Sequence, residues 1–193
     1  MARRGGTWMQ RWRVPLGFLC AALFFVFAKP RPWTLILGGT VALLGLLIRA
    51  WSAGHIRKNS QLATSGPYAY TRNPLYFGSF ILGLGFTIAA AQPLLAVLFI
   101  ALFLGIYLPV MRVESADLAK LFGEDYKAYA RAVPLFFPSL LPHRDERAGA
   151  VKFDASLYMR YREYRAALGV IVALGLLALR PVFLLVLKSV FVR

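Results

Sequence analysis

NPLYFGSFILGLGFTIAAAQPLLAVLFIALFLGIYLPVM, running from Asn73 to Met111, contains no Asp, Glu, Lys or Arg. One bilayer-crossing helix needs about 20 mostly apolar residues, with a lower limit of about 17. The stretch is long enough for two. Ala91-Gln92-Pro93 stands near its middle, and a proline suits the first position of a new helix. The segment reads as a helical hairpin inside a membrane.

Working outward, other apolar runs flank the hairpin. Val14 to Ala28 is short, but its arginine neighbours can snorkel to the interface. The basic start, Met1 to Arg13, would suit a signal peptide, yet Lys29-Pro30-Arg31-Pro32 follows without a small-residue cleavage site, so a retained first span is expected. Pro32 to Ile48, running on to Trp51, forms a second span. Ala166 to Leu179 forms another, and Pro181 to Val192 either extends it past Arg180 or folds back. The expected fold is all-α: a polytopic transmembrane helical bundle of five spans, or six if the tail is a hairpin, with a cytoplasmic helical cap. Residues 1–193 read as a single membrane domain. Residues 139–193 supply a cytoplasmic linker and the C-terminal membrane helix or hairpin.

Composition agrees. Of 193 residues 59% are hydrophobic and 16% are charged, against about 25% charged in soluble proteins. The 23 Lys and Arg against 8 Asp and Glu give +15. That charge sits between the apolar runs, where it serves anionic headgroup contact and topology rather than nucleic acid. Residues 1–13, 49–72 and 112–165 hold most of it, and alternating spans put these three segments on one side, which the positive-inside rule makes cytoplasmic. Every acidic residue lies between Glu114 and Glu163. Cys20 is the sole cysteine, and His55 and His143 lack metal-ligand spacing, so neither a disulfide within the chain nor a metal site is expected. No Walker, GxGxxG or HExxH motif occurs. Gly83 and Gly85, inside a span, read as helix-packing residues.

Three polar segments can carry chemistry. In His55 to Gly78, Ser65-Gly66-Pro67 reads as a turn. Asn73 then suits an N-cap and Pro74 the first helical position, leaving backbone N–H groups to face a ligand. Taken locally, the same features describe a plain loop-to-helix junction with Tyr68, Tyr70 and Tyr76 as interfacial anchors. In Arg112 to Pro138, Arg112 and Glu114 stand where a span leaves the membrane. Asp117, Leu118, Leu121 and Phe122 continue a helical pattern, Gly123 reads as a stop, and Tyr126 and Tyr129 share a face. An amphipathic helix lying on the bilayer shows the same pattern. In Phe153 to Arg165, Tyr158, Tyr161 and Tyr164 alternate with Arg160, Arg162 and Arg165, a combination that anchors to headgroups when it precedes a span.

Together the first two segments resemble a known signature. Leu62, Gly66-Pro67-Tyr68, Arg72-Asn73-Pro74-Leu75-Tyr76 and Gly78, followed by Glu114, Phe122-Gly123, Tyr126, Tyr129 and Val133-Pro134, are similar to the isoprenylcysteine carboxyl methyltransferase family and its phospholipid methyltransferase relatives. The resemblance covers about residues 50–138. It implies an integral membrane enzyme that uses S-adenosylmethionine and takes a lipid-like or prenylated acceptor sideways from the bilayer. It assigns Ser60, Gln61, Leu62, Ala63, Tyr68, Asn73, Pro74, Leu75, Tyr76 and Glu114 to the cofactor. The chain departs from the pattern at Asn73, where the family has His, and at Ser115, where it has a second Glu. The isoprenylcysteine enzymes place an arginine four residues before the retained glutamate. Here that position is Val110, and the nearest cation, Arg112, is rotated by about 200° on a helix. These departures bear on the acceptor more than on methyl transfer.

A carboxylate acceptor needs a cation to hold it, for which Arg72 and Arg112 are the candidates. An amine acceptor needs a base, for which Glu114 is the candidate. Carboxyl O-methylation, amine N-methylation of a phospholipid, a sterol-reductase-like enzyme that binds a nicotinamide nucleotide, and a non-enzymatic membrane module all remain open at this point. An ion transporter fits poorly, because no acidic residue and no histidine falls within a span.

Overall fold

The computed structural model describes residues 8–57, 61–143 and 152–191. All regular structure among them is helical. The helices are α1 (Trp8–Phe27), α2 (Pro32–Ala53), α3 (Pro74–Ala90), α4 (Pro93–Ala132), α5 (Ala155–Arg160) and α6 (Tyr164–Phe191), with a short 3-10 turn at Gly66–Ala69. By length and composition α2, α4 and the Tyr164–Phe183 part of α6 are able to cross a membrane, while α3 is a shorter apolar helix of 17 residues. Ile36, Leu94, Ile171 and Leu185 are among the exposed large apolar residues. In water such a surface would be a liability, but in lipid it faces its own solvent. The protein is an integral membrane protein.

The expected hairpin is α3 and α4. Ala91 takes a left-handed conformation at the end of α3, and Pro93 opens α4. α4 is 40 residues long, about 60 Å at 1.5 Å per residue, and so reaches well beyond a hydrocarbon core of about 30 Å. Gly123 interrupts it with φ 57° and ψ −128°, at the position read as a stop. The tail does not fold back. α6 continues through Arg180-Pro181 to Phe191, and the Arg180 guanidinium donates to the carbonyls of Phe25 (2.6 Å) and Val26 (2.5 Å) at the end of α1.

α2 and α3 approach backbone to backbone. Gly38, Ala42 and Gly45 on α2 lie against Gly78, Leu82, Gly85 and Ala89 on α3. A Cβ on Gly45 would stand 2.5 Å from the Leu82 nitrogen and 2.6 Å from the Gly78 oxygen. Small residues allow this in lipid, where close van der Waals contact replaces the hydrophobic effect as the force between helices. Of the two glycines read as packing residues, Gly85 faces α2, whereas Gly83 makes room for the Phe99 ring of α4.

α5 ends in a Schellman arrangement. The Arg162 N–H donates to the Met159 carbonyl (3.0 Å) and the Glu163 N–H to that of Tyr158 (3.3 Å). Arg162 is left-handed, at φ 57°, where glycine is the usual choice. The helix therefore stops inside the Tyr158, Tyr161, Tyr164 repeat, so these tyrosines do not line one helical face. A left-handed non-glycine residue costs roughly 1–2 kcal/mol. Arg162→Gly should raise stability by about 1 kcal/mol, read as a higher melting temperature in detergent. An unchanged or lower value would show that this position carries no strain.

Candidate active site

The two motif-bearing segments fold against each other at one end of the bundle. Backbone bonds join them: the Arg72 N–H donates to the Pro134 carbonyl (2.9 Å), Ser139 N–H to that of Tyr70 (2.9 Å) and His143 N–H to that of Ala69 (2.9 Å). Side chains complete the seam. Thr71 Oγ1 donates to the Phe136 carbonyl (2.8 Å) and Tyr129 Oη to that of Tyr68 (2.7 Å). Asn73 stands at the N-cap position of α3 but does not cap it. Its Nδ2 donates instead to the Leu135 carbonyl at 2.9 Å. The cap expectation is thus corrected: the amide is drawn away by a carbonyl of the opposing segment, which also accepts from Thr71 Oγ1 at 3.4 Å, and the start of α3 has no side-chain cap.

A cavity of about 840 Å³ opens between the segments. Its lining includes Gln61, Leu62, Ala63, Tyr68, Arg72, Asn73, Pro74, Leu75, Tyr76 and Glu114. Tyr76 Oη donates to Glu114 Oε1 at 2.9 Å across it. Ser60 lies outside the described residues. Arg112 is exposed and is absent from the lining. Two positions along a helix turn a side chain by about 200°, so with Glu114 facing the cavity Arg112 faces away. The expectation that Arg112 shares the site with Glu114 is corrected accordingly. Val110 is buried and brings no charge.

Several cavity residues were not singled out from the sequence, among them Arg49 on α2, Ile56 and Arg57 just after it, Ser79 on α3, Tyr107 on α4 and Glu163 at the start of α6. Arg49 was legible in principle, as a lone cation four residues beyond Gly45 on the glycine stripe that faces α3. Asp117, Leu118, Leu121, Phe122, Tyr126 and Tyr129, which the resemblance did not assign to the cofactor, also line the cavity.

The electrostatics leave donors without partners. Arg72 Nη1 donates to Ser115 Oγ and to Tyr126 Oη, each at 3.3 Å, and Tyr126 Oη donates to Ser115 Oγ at 2.7 Å. Ser115, standing where the family has a second glutamate, therefore holds Arg72 in place. Arg72 Nε and Tyr68 Oη are both buried and without a protein partner. Burial pushes the Tyr68 and Tyr129 phenols well above the ordinary tyrosine value, so both remain hydrogen-bond donors. A buried unpaired donor costs about 1–3 kcal/mol, and two at one cavity point to a ligand.

A second, apolar chamber of about 400 Å³ lies within the membrane-spanning part, bounded by α1, α3, α4 and α6. Phe24, Leu82, Phe86 and Phe103 contribute to its walls. Ser79 and Tyr107 line both hollows, so the polar cavity and the apolar chamber share a wall.

Comparison with known proteins bears on this arrangement. Residues 33–125 match the profile of the phospholipid methyltransferase family. Cobalt-zinc-cadmium resistance protein CzcN of Cupriavidus metallidurans is 39% identical over 149 residues, 72% of this chain and 68% of that protein. The chain belongs to the phospholipid methyltransferase family. Other proteins similar to the chain carry quite different names. Nickel-cobalt-cadmium resistance protein NccN of Alcaligenes xylosoxydans xylosoxydans is 41% identical over 115 residues, 58% of this chain and 51% of that one. Protein-S-isoprenylcysteine O-methyltransferase of Schizosaccharomyces pombe is 30% identical over 130 residues, 65% of this chain and 55% of that one. The chain thus spans about half the length of these last two relatives. No solved structure matches it. Among the described residues of this methyltransferase-family chain, no three His, Cys, Asp or Glu side chains converge as a metal site.

Proposed function

We propose that the chain is an S-adenosylmethionine-dependent methyltransferase that modifies a lipid-like or isoprenoid acceptor. The observation that carries the reading is the shared wall: a polar cavity with orphaned donors opens beside an apolar chamber at Ser79 and Tyr107. A polar cofactor and an apolar acceptor meet at such a wall without either leaving its own solvent. The volume, about 840 Å³, falls within the range of about 300–1,000 Å³ typical of ligand sites.

The donor set fits the cofactor. Arg72 Nε and Tyr68 Oη would hold its carboxylate. Glu114, braced by Tyr76, would face its positive groups. Leu118, Leu121 and Phe122 offer an apolar surface for its base, and Gln61, Leu62 and Ala63 would add contacts beside them. The bound cofactor supplies an electrophilic methyl group on a positively charged sulfur. This chain's residues position the two reactants, a contribution of up to about 7–11 kcal/mol, and exclude water from the junction.

On this reading, residues 1–193 act as one membrane domain, with segment 50–138 carrying most of the site and Arg49 and Glu163 completing it. The basic segments 49–72 and 112–165 put the site on the cytoplasmic face, where Arg160, Arg162 and Arg165 meet anionic headgroups. Carboxyl O-methylation is the first choice of chemistry, following the isoprenylcysteine relatives. Amine N-methylation is the second, favoured by the uncharged Val110 and by Glu114 and Asp117 on the cavity wall.

Tyr68→Phe separates ligand binding from folding. Removing an unpaired buried hydroxyl should leave the melting temperature unchanged or higher. Affinity for S-adenosylhomocysteine should fall about tenfold, or about 1.4 kcal/mol. Calorimetry on the detergent-solubilised protein measures both. Unchanged affinity would remove Tyr68 from the site.

A further inference from the structure

Arg49 is a charged residue on an otherwise apolar α2, and such residues in membrane helices mark function more often than structure. Its Nε and Nη2 grip the Glu163 carboxylate at 2.8–3.0 Å. Its Nη1 donates to Ser79 Oγ. The two charged side chains are 22% and 12% exposed, and both line the polar cavity. Ser79 lines the apolar chamber as well, so the guanidinium stands at the junction of the two hollows. Glu163 is delivered there by the left-handed Arg162 beside it. Backbone strain of this kind gathers at ligand sites.

Building on the methyltransferase reading, we propose that Arg49 anchors the oxyanion headgroup of the acceptor, and that Glu163 is an internal carboxylate holding its place until the acceptor arrives. The guanidinium fork matches carboxylate and phosphate equally well. A buried ion pair adds little stability over an apolar pair of the same shape, so a strut between α2 and α6 has no need of one. An acceptor whose tail fills the apolar chamber brings its head to Ser79 and Arg49. Its oxyanion then takes the guanidinium from Glu163. Where that oxyanion is a carboxylate that accepts the methyl, the S–CH3 bond breaks with its electron pair left on sulfur, an O–CH3 bond forms, and no proton moves. The resulting ester is neutral, so Glu163 recovers Arg49 and the product is released.

The test uses the full chain in detergent and three probes with one tail: farnesylthiopropionate, its carboxamide and farnesyl phosphate. Wild type should bind at least one anionic probe tenfold or more tighter than the carboxamide, and the better of the two names the headgroup. Arg49→Gln should erase that preference, and Arg49→Lys should retain part of it. Glu163→Gln should tighten anionic binding about tenfold, even where it lowers the melting temperature. A purely structural ion pair would instead weaken or leave binding unchanged in Glu163→Gln, and either result overturns the proposal. Equal binding of all three probes by wild type also overturns it. S-adenosylhomocysteine binding, measured on the same samples, separates the two levels. If it binds while the headgroup preference is missing, only the Arg49 assignment fails. If it does not bind, the methyltransferase reading fails first.

Discussion

Glu114→Ala lowers affinity for S-adenosylhomocysteine about a hundredfold while the protein stays folded in the membrane. The expectation comes from where the carboxylate stands. It accepts from Tyr76 Oη at 2.9 Å, on the wall of the polar cavity, and it is the first acidic side chain after the uncharged hairpin. A hydrogen bond to a charged group contributes about 1.5–3 kcal/mol, and a hundredfold is about 2.7 kcal/mol. The loss is expected near the top of that range because Tyr76 loses its partner at the same time. Glu114→Gln keeps an acceptor for Tyr76 but not the charge, so it should fall between wild type and alanine. Arg112→Ala, on the outer face of the same helix, should leave affinity unchanged. Equal effects of Glu114→Ala and Arg112→Ala would mean that the cavity does not define the site.

Gly85→Val is the variant expected to destabilise the fold most. A Cβ on Gly85 would lie 2.5 Å from the Ala42 nitrogen and 2.6 Å from the Gly38 oxygen. Both neighbours are backbone, so no side chain can swing aside and the helices must separate. Overpacking a well-filled interior costs about 1–3 kcal/mol and occasionally more. Here the separation would also disturb Arg49, whose Cγ lies close to Gly78 on the same seam. A loss of 3 kcal/mol or more is expected, against a total stability of about 5–15 kcal/mol for a typical domain. Gly105→Ala is the contrast, because open space surrounds that position. It should gain up to about 1 kcal/mol from helix propensity. Melting curves of the two variants in one detergent compare them directly. A Gly85→Val protein as stable as wild type would show that α2 and α3 are not packed this closely.

Much of the architecture was legible because lipid simplifies the code. Absence of charge from Asn73 to Met111 is enough to mark a hairpin, and Ala91-Gln92-Pro93 is enough to place its turn. Gly123 was readable as a break for the same local reason: glycine tolerates the positive φ that a helix stop demands. The convergence of the two motif segments was suggested by resemblance, and the geometry that joins them is tertiary. Asn73 illustrates the limit. Local rules make it a cap, yet the Leu135 carbonyl, 62 residues away, takes its amide. The Arg49–Glu163 pair spans 114 residues, beyond any periodicity argument. The tyrosine repeat of Phe153 to Arg165 gave no sign that the helix would end within it.

On the proposed function, the cavity between the two segments brings cofactor and lipid acceptor together. The direct measurement is transfer of labelled methyl from S-adenosylmethionine to organic-extractable material by vesicles containing the full-length protein and native lipids. Label should enter the lipid fraction with wild type and fall to background with Glu114→Ala. No lipid labelling by wild type, or labelling that survives in Glu114→Ala, would contradict the account.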